Sequence, residues 1–402
     1  MIGYGEPQAI GGKLLARPMK TLLAIFAVSL GVMWYRFSAG LGPVSNMTDG
    51  FTWGIWEPVN VVVFTGIGAG AYGVGLLCYL LNKGRYHGLV RPAVLAGAIC
   101  YSLGAASIVV ALGRYWNSYW LGVPTLWNLS SALLEVAICV LTYVMVLWVE
   151  MLPSFLARIS ASPSARWKTF GKKWGGRLQQ AMPYIIALAI LLPTMHQSSL
   201  GGLLLIAGPK IHPLWHTALL PTLFLISCLS MGFGAVVVLI TILKLTWNVE
   251  HDQRLLAEMS RVNAYLLIAF VVLRIGDITA GKLWYVGWDL ISLLFFVELA
   301  LFLTPALLFL SHRVKRSRGR LFGASLLAVA AGAVYRVDAY LSVYRPAPGW
   351  NYWPSIGEMT VTVGMAALGI AVFILISRMF PVLVVEETAT GRPRASESAA
   401  SR

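Results

Sequence analysis

Three residues of this chain combine the capacity to move protons with a costly setting. Glu135 stands in WNLSSALLEVAICV, His196 in LLPTMHQSSLGGLL and Tyr101 in AGAICYSLGAA, each within a run of apolar residues. An ionisable side chain near a bilayer centre costs on the order of 2.5–3.5 kcal/mol on insertion scales, so each is a functional candidate. A carboxylate and an imidazole on different segments can exchange protons through Ser, Gln or water, and imidazole titrates near neutrality. Together they suggest a proton path or a site for a quinone headgroup. Glu298 in LLFFVELALFL, Arg274 and Asp277 in VLRIGDITAG, Arg336, Asp338 and Asp289 occupy similar runs. Arg274 and Asp277 are three residues apart, a spacing that lets them pair on one helix and neutralise each other. Glu298 could equally be a protonated hydrogen-bond donor between packed helices.

The six histidines test for haem. A b-type haem in a membrane normally takes two facing histidines. Of His87, His196, His212, His216, His251 and His312, only His196 lies well inside an apolar run, so no haem is expected. His212 and His216 in KIHPLWH are four apart, but Pro213 breaks the helix that would align them. Cys78, Cys100, Cys139 and Cys228 are far apart and form no CxxC pair, which implies neither an iron–sulfur cluster nor a disulfide framework. Redox work by this chain would then need a lipid-soluble carrier such as quinone.

The elements that position these residues follow from composition. Hydrophobic residues make up 58% of 402 positions, charged residues 12%, and mean hydropathy is +0.74. Soluble domains carry about 25% charge, so the fold class expected is all-α, a polytopic membrane bundle. Ten windows are long enough to cross about 30 Å of hydrocarbon: 20–38, 59–81, 93–113, 130–151, 183–207, 217–244, 262–281, 284–310, 320–344 and 358–380. With the N-terminus in the cytoplasm, 24 of the 31 Lys and Arg residues fall on the inner side. That bias supports ten spans with both termini cytoplasmic. The net charge of +15 is then a collar facing anionic lipid, not a nucleic-acid footprint.

One integral membrane domain is expected over 1–383, followed by a polar, disordered tail over 384–402. The stretch 152–182 reads as a long basic cytoplasmic loop. The outer loops (49–60, 113–128 and 344–355) are dense in Trp, Tyr and Gly, which suits an interfacial belt or a docked protein equally.

PTMHQSSLG, the block LVRPAVLAGAICYSLGAASIVVALGRYWN, GGKLLARP and FTWGIW resemble the HybB-type branch of the NrfD/polysulfide-reductase family of membrane subunits. The resemblance runs from about residue 9 to about 383. It implies a haem-free subunit of the bacterial inner membrane, docked on its outer face to a ferredoxin-like iron–sulfur subunit and served by the large and small subunits of a [NiFe] hydrogenase. It implies menaquinone or ubiquinone as the electron acceptor. Tyr101, Glu135 and His196 fall where the family places proton transfer and quinone-side polarity, with Arg114 and Asn117 as further quinone candidates and Arg91 and Arg114 flanking one helix. Where relatives can carry a further glutamate in the sixth span, this chain has Leu239.

Two other readings stay open at this level. The same fold could serve a polysulfide, nitrite or cytochrome-linked module. A proton-coupled transporter would use Pro193 and Gly201–Gly202 as a helix break, although no second interrupted span matches it.

Overall fold

The structure is a computed structural model that describes residues 6–249 and 252–385. Ten helices dominate it: α1 Arg17–Ala39, α2 Trp56–Leu80, α3 His87–Ala111, α4 Ala132–Ser160, α5 Ala165–Ala207, α6 Leu220–Trp247, α7 Gln253–Thr279, α8 Leu290–Leu310, α9 Arg318–Val337 and α10 Ile356–Met379. Among the described residues these ten are long and apolar enough to cross a membrane, and the ordered structure besides helices is limited to isolated β-bridges. The protein is a multi-pass membrane protein.

Two four-helix groups form the body, α2–α5 and α6–α9, joined where α6 packs on α2 and α5. The α1–α10 pair flanks the first group. Helix α2 sits at the seam, and its GIGAGAYGVG run lets neighbours approach on two sides. A Cβ on Gly232 of α6 would lie 2.6 Å from the Ala69 carbonyl carbon and the Gly70 nitrogen. Across α2, a Cβ on Gly97 of α3 would lie 2.9 Å from the Gly68 carbonyl oxygen. Small residues at such crossings allow backbone contact where lipid supplies no hydrophobic drive. The first and last turns of α2, Trp56–Val63 and Leu76–Leu80, are π-helical, a form that collects at functional sites. Large apolar side chains sort accordingly. Trp56, Trp215, Phe224, Phe270 and Phe302 are buried, whereas Leu293, Phe296 and Leu307 of α8 are exposed to the apolar solvent the composition demands.

Residues 152–182 are not the loop the sequence suggests. Helix α4 runs to Ser160, a short turn follows, and α5 starts at Ala165. A Cβ on Gly171 would lie 2.5 Å from Ser160 Oγ, so the two helices abut there and tertiary packing overrides the low helix propensity of this Gly-rich stretch. Helix α5 continues through Pro183 and Pro193 for 43 residues, about 65 Å.

The first and last described stretches meet. Gln8 N–H donates to Leu383 O at 2.7 Å and Ile10 N–H to Ser377 O at 3.1 Å, so both ends lie on one face, as ten spans require. Val385 bridges to Val249, and the remainder of the expected tail, from residue 386, lies outside the described residues. At the opposite end, buried Arg36 donates to Val110 O at 2.6 Å and to Leu112 O, closing carbonyls that the end of α3 leaves open.

Candidate functional site

The first four-helix group encloses a polar core. Tyr101 on α3 and His196 on α5 are fully buried, with ring centroids 5.6 Å apart. Tyr143 of α4, also fully buried, meets Tyr101 edge to face at 4.6 Å. Gln197, beside His196, donates to Tyr101 Oη at 3.1 Å and Thr65 Oγ1 at 3.2 Å. Its carbonyl accepts from Arg336 of α9 at 2.9 Å. That arginine reaches in from the second group, fully buried, and donates also to Phe224 O at 3.0 Å, Ser227 Oγ at 3.3 Å and Val62 O at 3.3 Å. A guanidinium spread over four acceptors is held in place as a fixed positive charge. His196 shares with the Tyr143 hydroxyl the lack of a bonded partner among the described residues. Both ring nitrogens are buried, and among the described residues neither makes a hydrogen bond. A buried donor or acceptor without a partner costs roughly 1–3 kcal/mol, which is tolerated where the group exchanges protons or bonds a transient partner.

Glu135 is placed differently from its sequence setting. Ser131 caps α4 by accepting from Leu134 N–H, so Glu135 falls in the first turn, where the helix dipole favours a carboxylate. The side chain is exposed instead of buried, beside exposed Leu129 and Leu133. Ser199 of α5, one turn from His196, donates to Glu135 Oε1 at 2.6 Å. Tyr101, His196 and Glu135 therefore converge on α5, two inside and one at the surface.

The other candidates lie elsewhere. Arg114 and Asn117 are exposed at the end of α3 and on the short 3-10 helix that follows it. Arg91 lies near the opposite end of α3 and donates to Pro381 O at 3.2 Å. Arg274 and Asp277 do not pair with each other. Three residues advance a helix by about 300°, so the two side chains diverge by about 60°. Arg274 turns inward to Glu298 of α8 at 3.0 Å, both fully buried, while Asp277 binds Lys282 at 2.6 Å and accepts from Thr217 at 2.7 Å. Glu298 also accepts from Trp215 Nε1 at 2.8 Å, and Arg274 donates to Leu214 O at 2.8 Å. Every strong polar bond of this pair is satisfied within the fold. Tyr143, Thr65 and Gln197 were not among the sequence candidates. The polar break around PTMHQSS was the available signal for Gln197, and only a contact across helices reveals the other two.

The family model for "Polysulphide reductase, NrfD" matches residues 43–338. The chain belongs to this family. It is 33% identical over 384 residues to "Probable Ni/Fe-hydrogenase 2 b-type cytochrome subunit" of Escherichia coli (strain K12), covering 94% of this chain and 95% of that protein. It is 25% identical over 395 residues to "Menaquinone reductase, integral membrane subunit" of Nitratidesulfovibrio vulgaris (strain Hildenborough), covering 92% of each.

One of those names mentions a b-type cytochrome, so the fit of a haem can be tested. Among the described residues, His196 is the one histidine within the bundle. His87 and His312 sit exposed at helix starts and His212 and His216 in a loop, while His251 lies outside the described residues. Tyr101 packs against the His196 ring, which has no exposed surface. A porphyrin needs a slot beside its ligand and commonly a second ligand opposite, and this packing fits neither. Among the described residues no group of three or more His, Cys, Asp and Glu gathers for a metal ion.

Proposed function

We propose that this NrfD-family subunit passes electrons from an iron–sulfur partner on its outer face to menaquinone or ubiquinone, without a haem of its own, as part of a respiratory [NiFe] hydrogenase complex of the bacterial inner membrane. The observation that carries the reading is the pairing of a surface carboxylate, Glu135, with Ser199, one turn from a buried imidazole that has no bound partner. The names of the two relatives supply the redox setting, hydrogenase in one and menaquinone in the other.

Quinone is the substrate. Its ring would enter from lipid beside the first turn of α4, where apolar Leu129 and Leu133 are exposed around Glu135. Quinone plus two electrons and two protons gives quinol. Glu135 and Ser199 would hand protons to the quinone oxygens, and His196 with Tyr101 would refill them. Arg336 adds a fixed positive charge next to Gln197 that favours negative charge developing on a reduced ring nearby. Arg114 and Asn117, exposed beyond α3, are assigned to the rim of the site facing the partner.

The test uses the intact complex in liposomes, with hydrogen as donor and a menaquinone analogue as acceptor. Glu135→Gln and His196→Ala are expected to lower quinone reduction by roughly a hundredfold, the scale of a lost positioned acid–base group. Unchanged rates in both variants would defeat the assignment. Copurification with polysulfide- or nitrite-reducing subunits, in place of a hydrogenase, would keep the site and change the partner.

A further inference from the structure

We propose that Glu150 and Tyr143 of α4, with Tyr79 and Tyr72 of α2, form the proton route that supplies Tyr101 and His196 from the face bearing the chain ends. The proposal rests on the quinone reading above and specifies where its protons come from.

The register of α4 sets the line. Tyr143 and Glu150 are seven residues apart, within about 20° of one another around the helix and about 10.5 Å apart along it. Buried Leu147 and Ser154 mark the same face as inward. Glu135 lies at the other end of this helix, at the surface site. Tyr72 and Tyr79 repeat the seven-residue spacing on α2, running toward the same face as Glu150. The two lines meet at the polar core. Tyr143 touches Tyr101 at 4.6 Å, and the Tyr72 hydroxyl accepts from Thr194 of α5 at 2.7 Å, one turn from Gln197.

Bonding separates this line from Glu298, a fully buried acid of the second group. Glu298 is saturated by Arg274 and Trp215, so its proton state is locked by structure. Among the described residues no hydrogen bond or salt bridge holds Glu150, and the buried Tyr143 hydroxyl has no partner either. A half-buried carboxylate and a buried phenol in that state can each pick up and release a proton through transient waters. On this proposal a short chain of hydrogen-bonded waters would link the two. Electrons enter from the outer side, so protons drawn from the opposite face carry positive charge across most of the membrane. One proton is consumed per electron as quinone becomes quinol.

The intact complex in liposomes, driven by hydrogen with a menaquinone analogue as acceptor, decides the matter when a potential-sensitive dye is read alongside quinone reduction. The wild type should develop a potential that is negative on the face bearing the termini. Glu150→Gln should abolish that potential and slow quinone reduction roughly a hundredfold, Glu150→Asp should restore both in large part, and Tyr143→Phe should slow both. A Glu150→Gln complex with wild-type rate and potential overturns the route. If Glu135→Gln is inactive in that same experiment, the quinone site stands without the route. If the wild-type complex reduces no quinone at all, the functional reading falls, and the route with it.

Discussion

Removing Glu298 should destabilise the protein much more than removing Glu298 and Arg274 together. In the parent, Arg274 donates to Glu298 through Nε at 3.2 Å and Nη2 at 3.0 Å, and Glu298 accepts from Trp215 at 2.8 Å. Glu298→Leu leaves a guanidinium with no exposed surface and one remaining acceptor, Leu214 O, besides orphaning the Trp215 N–H. Breaking a buried pair from one side costs about 3–5 kcal/mol. For a chain of 402 residues that corresponds to a fall in melting temperature of roughly 4–6 °C. The rings of Phe295 at 4.7 Å and Trp215 at 5.4 Å from the guanidinium carbon recover part of the loss through cation–π attraction. Arg274→Met with Glu298→Leu removes both charges and refills the space with apolar atoms, so the double variant should melt within a few degrees of the parent. Thermal unfolding of the purified complex in one detergent, scanned at a fixed rate, measures all four corners of the cycle. The double variant should also reduce quinone near the parent rate, because the pair is bonded to the fold and not to the site. The reasoning fails if the double variant loses as much stability as the two single changes added together. It fails equally if a well-folded double variant no longer reduces quinone.

Three further outcomes follow from local geometry. Gly232→Leu should prevent accumulation of folded subunit, since even its Cβ meets α2 backbone at 2.6 Å, whereas Gly175→Ala, with nothing within 4 Å, should be neutral or stabilise by up to about 1 kcal/mol; quantitative membrane blots and melting curves separate the two. Arg36→Met should cost about 1–3 kcal/mol by orphaning two carbonyls at the end of α3, read as faster amide exchange over residues 108–112. His212, outside the spans, has its pKa lowered by burial and by Arg345, so the folded loop holds it neutral; the stability this supplies is present above the ordinary value of about 6.5 and is lost as pH falls. Amide protection over residues 208–217, taken relative to intrinsic exchange rates, should therefore fall between pH 7.5 and 5, and His212→Gln should flatten that dependence.

The spans and their order were legible because lipid imposes a minimum apolar length and satisfies no backbone group. The basic hairpin over 152–182 was not, since Gly171, Gly175 and Gly176 signal a break, and only the seat of Gly171 on Ser160 explains the continuous helix. Within the site, His196 and Tyr101 announced themselves by polarity inside apolar runs. Glu135 gave the same signal, yet it lies on an exposed face in the first turn of α4. Arg336 was visible as a buried cation without a role, because its partners come from α2, α5 and α6, up to 274 residues away in sequence. Arg274 shows the opposite error. A near neighbour in sequence suggested a partner, and a helix 24 residues further on supplied the true one.

The bond between Gln8 and Leu383 has a practical reach. Because three main-chain hydrogen bonds join residues 8–11 to residues 377–383, the fold closes like a ring with a short gap between these two described stretches. A reporter fused to either end must report the same compartment, and disagreement between the two would mean a misinserted chain. A short linker bridging that gap, with new ends opened in an exposed loop such as the one after α3, would give a permuted subunit whose termini emerge on the opposite side, beside a partner docked there.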